Sequence, residues 1–138
     1  MSYLDILKPQ LSIDEGYSDR MYLDSKGIWT IGIGHNLRDK PLSARAIQVI
    51  FEDDMADAEA DARKLIKSFD SLNDVRKAVV INMSFNLGYS VFSQFKQTIA
   101  AIDSGDYTTA AARMLHSAWA GQVGARAQRL ADQMAKGA

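Results

Sequence analysis

The sequence predicts a mostly helical α+β fold: a small N-terminal lobe with a β-hairpin, a long connecting helix, and a C-terminal helical lobe. Three observations predict it. The run MYLDSKGIWTIGIG holds a turn between two strand-like stretches, with Asp24 at the first turn position and Gly27 at the fourth. From Ile47 to Phe69, apolar residues step by three or four, the spacing of one helix face. The run DVRKAVVINMSFNLG, residues 74–88, is apolar on almost every side, as suits a helix in the middle of a bundle. The 138 residues thus read as one domain, with a small N-terminal lobe at 1–42, a connecting helix at 43–69 and a helical lobe at 70–138.

Each element follows from local chemistry. Leu4, Leu7 and Leu11 share a helix face, and Gly16 is a natural stop that leaves Glu15 in the last turn. Pro9 lacks an N–H and clashes with the preceding turn, so this helix is expected either to kink or to start at Pro9. After the DSKG turn, alternation sends Trp29, Ile31 and Ile33 to one face, where they can bury. It sends Ile28, Thr30, Gly32 and Gly34 to the other. That second face is nearly bare backbone, which suits close approach by a ligand. Ser43 can cap the long helix, whose residues Glu52–Asp61 form an acidic, solvated face. Three further amphipathic segments, 92–103, 107–119 and 125–136, are split by SGD and GQVG. A cleft between two lobes is a usual place for a ligand.

Composition removes several classes of function. There is no cysteine, which excludes disulfides and thiolate zinc sites, and the two histidines, His35 and His116, form no metal-binding spacing. No metal and no organic cofactor is implied. Residues 41–70 carry seven acids against four bases, and residues 71–138 seven bases against four acids. That asymmetry is too mild for a nucleic-acid stripe. No apolar run approaches the roughly 20 residues of a membrane span. The start, MSYLDILKPQ, has neither a basic leader nor an apolar core, so the expectation is a cytoplasmic beginning.

The chemistry is concentrated in residues 15–35. A carboxyl in the last turn of a helix faces the negative end of the helix dipole, and partial burial there would disfavour its charge. Glu15 can therefore serve as a general acid. Asp24, on a polar turn, should stay ionised. Two carboxyls in such different settings divide the acid and base roles of glycoside hydrolysis. Thr30 adds a hydroxyl that can hold a water near Asp24. Trp119 and Tyr107 could stack on sugars, although core packing is the commoner role of such residues. His35 reads as a structural histidine rather than a base.

Glu15, Gly16, Asp24 and the run TIGIGH at 30–35 together resemble the catalytic stretch of the T-even phage type of lysozyme, glycoside hydrolase family 24. The resemblance continues through FEDDMADA at 51–58, DSLNDVRKAVVINMSFNLG at 70–88 and SAW…ARAQR from 117 to 129, and covers essentially the whole chain. It implies a lysozyme-like fold and an endolysin that cuts peptidoglycan between N-acetylmuramic acid and N-acetylglucosamine. Glu15 would be the proton donor, Asp24 the second carboxyl and Thr30 the positioner of the attacking water. Gly32, Gly34, Asn36, Phe85, Asn86, Thr98 and Arg113 would contact substrate. Arg126 would pair with Glu15, and His35 with Asp54, as structural support. A monomer is implied, without stable membrane association, that waits in the host cytoplasm until a separate membrane-permeabilising protein opens the way to the wall.

Some positions depart from the family pattern. The loop between GIGH and the long helix is short, Asn36 and Arg113 stand where other residues are expected, and Ala120 and Val123 replace bulkier or more polar ones. Two rival readings share the resemblance. A lytic transglycosylase would cut the same bond by internal cyclisation, needing Glu15 but no Asp–Thr water site. A silent wall-binding or virion module would need neither carboxyl.

Overall fold

A computed structural model describes residues Met1 to Ala138. Seven α-helices and one three-stranded antiparallel sheet make up the chain, which parts into two compact units, Met1–Val49 and Ile50–Ala138.

In the first unit, α1 runs from Tyr3 to Glu15. The Ser2 amide donates to the Asp5 carboxylate at 2.9 Å, which fastens the first turn. Contrary to one expectation, the helix does not start at Pro9 but runs through it. Only one ladder bond is lost, the one a residue-9 amide would have given to the Asp5 carbonyl. Gly16, at φ 77°, ends the helix as expected.

Strands β1 (Ser18–Leu23), β2 (Trp29–Gly32) and β3 (His35–Asn36) follow in the order β1-β2-β3. Tyr22 pairs with Thr30 and Leu23 with Trp29, while β1 bulges between Ser18 and Tyr22. The expected long second strand is cut short. Gly32 (φ 68°) and Gly34 (φ 66°) both adopt left-handed backbone, so the chain turns at Ile33–Gly34 and returns as β3. Alternation therefore fails beyond Gly32, and the burial expected of Trp29 and Ile33 is reversed. They are 47% and 45% exposed, whereas Thr30, from the opposite face, is only 4% exposed.

Helix α2 spans Ala44–Leu65, opened by the Ser43 hydroxyl, which accepts from the Ala46 amide at 3.1 Å. It ends short of Phe69. The chain turns at Lys67 and Ser68 and makes a 3₁₀ turn over Phe69–Ser71, which still buries Phe69. The spacing continued through the break because Phe69 belongs to the same core.

The second unit is built around α3 (Asp74–Phe92), which buries Val79, Val80, Met83 and Phe92 and is broken at Gly88, φ 76° and ψ 164°. Around it lie α4 (Lys96–Asp103), α5 (Tyr107–Leu115), α6 (Ala118–Val123) and α7 (Ala125–Lys136). The single segment expected at 107–119 is two helices, because the Ser117 hydroxyl caps α6 by accepting from the Ala120 amide. GQVG accordingly falls mostly inside α6, and Gly124 alone ends it.

Met83, Phe92, Ile102, Met114 and Met134 are fully enclosed, each contributing about 1.5–3 kcal/mol of apolar burial. Polar ties fix the register of this core. The Ser84 hydroxyl donates to the Ala58 carbonyl of α2 at 2.8 Å. Arg76 donates to the Met134 and Ala135 carbonyls at 2.8 and 3.0 Å while its guanidinium carbon lies 3.7 Å from the Tyr107 ring centroid. A cation at the last turn of α7 satisfies carbonyls that have no helical partner.

Candidate active site

The hairpin lobe brings three of the expected residues into defined settings. Glu15 is the last residue of α1 and is exposed rather than partly buried. Its side chain lies along the backbone of Gly34. A Cβ on Gly34 would stand 2.8 Å from Glu15 Oε2 and 3.0 Å from both its Cβ and its Cδ. The bare face of Gly34 thus receives the carboxyl itself. At Gly32 a Cβ would meet nothing within 4 Å, so that glycine keeps open space beside it.

Asp24 and Thr30 are joined through the main chain of one residue, Ile28. Asp24 Oδ1 accepts from the Ile28 amide at 2.9 Å and from the Lys26 amide at 2.8 Å. The Thr30 hydroxyl donates to the Ile28 carbonyl at 2.9 Å. Asp24 Oδ2 takes part in no such bond and stays available. The Ile28 amide is the main cause that holds the Asp24 carboxyl below its ordinary range; desolvation opposes it, and the Lys26 amide and the Lys26 and Arg38 charges reinforce it. Asp24 is therefore ionised, as the turn chemistry predicts. The Thr30 hydrogen is committed to a carbonyl, so towards a third group its oxygen can act only as an acceptor.

Asn36 and His35 are tied into the same lobe. Asn36 Oδ1 accepts from the amides of Arg38 and Asp39, both at 2.9 Å, and its Nδ2 donates to Asp39 Oδ2 at 3.0 Å. Its side chain thus shapes the turn after β3. The His35 Nε2 lies 3.1 Å from the Lys40 carbonyl, where a protonated Nε2 donates.

The remaining candidates belong to the helical unit. Phe85 is 44% exposed, stacks edge-to-face on Phe51 and lines two adjoining pockets. One, of about 230 Å³, includes Asp54; the other, of about 440 Å³, includes Arg126. Arg126 donates from Nε and a terminal nitrogen to Asn82 Oδ1, at 3.0 and 2.7 Å. Asn86 Oδ1 accepts from the Trp119 indole at 2.7 Å, and Trp119 is enclosed against Phe95. Trp119 therefore packs the core. Thr98 and Arg113 come together in a third pocket, of about 390 Å³. Two partners escaped sequence reasoning. Asn82, the partner of Arg126, was signalled only as a polar interruption in VVINMSF, and the Ile28 peptide carried no side-chain signal.

A mostly helical α+β chain whose small sheet lobe presents two carboxyls has the architecture of a lysozyme-like glycoside hydrolase. A sequence model of the family described as phage lysozyme matches residues 12–135, and the chain belongs to that family. It is 26% and 28% identical to probable T4-type lysozymes 1 and 2 of Dictyostelium discoideum, with 90% of each chain covered. It is also 26% identical to the pre-baseplate central spike protein Gp5 of Enterobacteria phage T4, covering 85% of this chain and 25% of that protein. The alignments to the lysozymes run over 153 positions against a chain of 138, so the relatives carry residues that this chain lacks. The protein is a lysozyme-type hydrolase of peptidoglycan.

Two predictions follow from the lobe. Gly34→Ala and Gly32→Ala both place a side chain at positive φ, costing about 1–2 kcal/mol each in urea melts. Only Gly34→Ala displaces Glu15, so its kcat on wall suspensions should fall roughly a hundredfold, against less than tenfold for Gly32→Ala. Equal losses in the two would contradict the role given to Gly34. In carbon-detected NMR, Asp24 should titrate below the ordinary aspartate value of about 3.9. Because its folded pKa is depressed, its stabilising contribution is present above that value and is lost as pH falls through the folded pKa.

Proposed function

We propose that the enzyme is an endolysin that hydrolyses the β-1,4 bond between N-acetylmuramic acid and N-acetylglucosamine with inversion, using Glu15, Asp24 and Thr30. The observation that carries the mechanism is the divided commitment of Asp24: Oδ1 is tied to two amides while Oδ2 is free. A water donating one hydrogen to Asp24 Oδ2 and the other to the Thr30 oxygen would keep a lone pair for the anomeric carbon. In one displacement, the water oxygen bonds to that carbon and the glycosidic C–O bond breaks. Glu15 gives its proton to the leaving oxygen, and Asp24 takes one from the water. Exchange with solvent restores both carboxyls.

A water between the second carboxyl and the sugar requires the wide carboxyl separation of inverting enzymes, about 6.5–9.5 Å, rather than the 5–5.5 Å of retaining ones. Neither a transglycosylase nor a silent virion module has use for a base held in this way. The pairings of Glu15 with Arg126 and of His35 with Asp54 draw one residue from each unit and remain part of the proposal. So does the route to the wall. On that route, expression in the host cytoplasm should lyse cells only when a separate membrane-permeabilising protein is co-expressed.

Glu15→Gln keeps the shape of the side chain and removes its transferable proton. Turbidity clearance of permeabilised Gram-negative cells should drop at least a thousandfold, with an unchanged circular-dichroism melt. Activity within tenfold of the parent would remove Glu15 from the role of acid. With the active parent, early proton NMR should show the α-anomer as first product. A β-anomer, or an anhydro sugar by mass spectrometry, would overturn the inverting mechanism.

A further inference from the structure

We infer that Asn82 is a positioning residue of the reaction. It holds the Arg126 guanidinium by its side edge, so that the terminal edge and the whole charge stay open to a carboxylate. Asn82 Oδ1 accepts from Arg126 Nε at 3.0 Å and from Nη2 at 2.7 Å. A guanidinium has five N–H groups in one plane, and these two point to the same side of it. The others, two on Nη1 and one on Nη2, make no hydrogen bond within the second unit, and Arg126 takes part in no ion pair there. Two of them lie parallel on the terminal edge and match the fork of a carboxylate.

The helices that carry the pair explain why an anchor is needed. Arg126 is the second residue of α7, whose capping residue is Gly124 and whose first turn holds no acid. The helix dipole opposes a cation at that end, so helix stability does not account for its place. Asn82 is half-buried on the core helix α3, next to the enclosed Met83. With Ile81, Phe85 and Met55 it lines the apolar pocket of about 440 Å³ that Arg126 also lines, and no acid lies among those walls. The one partner offered to the guanidinium is therefore a neutral amide, which fixes its direction without cancelling its charge. Released from Asn82, so long a side chain would spread over many rotamers and carry the charge elsewhere. On the reading proposed above, the carboxylate is that of Glu15. The part Asn82 plays in the reaction rests on that reading, and the hold on the side edge does not.

The test is a cycle of Asn82→Leu, Arg126→Ala and the double variant, assayed as intact protein on wall suspensions below the melting transition of each. Leucine is close to asparagine in volume and lacks the oxygen. Each single change should lower kcat roughly tenfold or more with KM within about twofold, because the role lies in aiming a carboxyl and not in holding sugar. In the Arg126→Ala background, Asn82→Leu should cost less than about twofold more, since its effect runs through the guanidinium. A second measurement needs no activity. In ¹⁵N spectra of the parent at mildly acid pH, the Arg126 Nε–H should exchange with water about tenfold or more slowly than those of exposed arginines, and should lose that protection in Asn82→Leu. Parent-like kcat in Asn82→Leu, losses that multiply in the double variant, or an unprotected Nε–H in the parent would each overturn the positioning role and leave Arg126 in the mechanism. Full activity in Arg126→Ala would instead remove the pairing with Glu15, and the role of Asn82 with it.

Discussion

The hairpin lobe depends on the two main-chain polar groups of a single residue, Ile28. The Ile28 amide holds Asp24 Oδ1, and the Ile28 carbonyl holds the Thr30 hydroxyl. These bonds do more than close a turn. They leave Asp24 with one free oxygen and a depressed pKa, and they leave Thr30 with an oxygen that can only accept. Both outcomes suit the proposed mechanism, in which a water must be deprotonated and oriented by acceptors alone. Hydrogen bonds of this kind contribute only about 1 kcal/mol each to folding, but they decide which lone pairs remain for chemistry.

A second constraint sets Glu15. The carboxyl can lie on the turn after β2 only because residue 34 has no side chain and adopts left-handed backbone. The glycine that ends α1 and the glycine in the turn after the short second strand thus serve one residue between them. The charged groups on this lobe, Arg38 and Asp39 among them, form an exposed pair at 2.9 Å that adds little stability.

Much of this was legible in the residues. Gly16 marked the end of α1, and DSKG placed Asp24 at a turn whose amides hold its carboxylate. The misreadings share a cause. Periodicity reports which face a residue occupies and is silent about where the backbone stops. The steps of α2 continued into Phe69 because the core continued, although the helix had ended at Leu65. Alternation placed Trp29 and Ile33 inside, yet left-handed glycines turned the chain and a sheet this small left those side chains exposed. Ser117 was a visible cap inside HSAWA, and reading it would have separated α5 from α6. Tertiary partners such as Asn82 for Arg126 stood 44 positions apart, and local sequence carries no trace of such a pairing.

The central claim is that Thr30 acts through its oxygen as an acceptor fixed by Ile28. Steady-state hydrolysis by Thr30→Ser and Thr30→Val tests it most directly. Thr30→Ser keeps the hydroxyl and its bond, and should hold kcat within about tenfold of the parent. Thr30→Val keeps the shape and loses the acceptor, and should lower kcat roughly a hundredfold or more with KM little changed, as expected for an interaction made in the transition state. A valine variant as active as the serine variant would contradict the account.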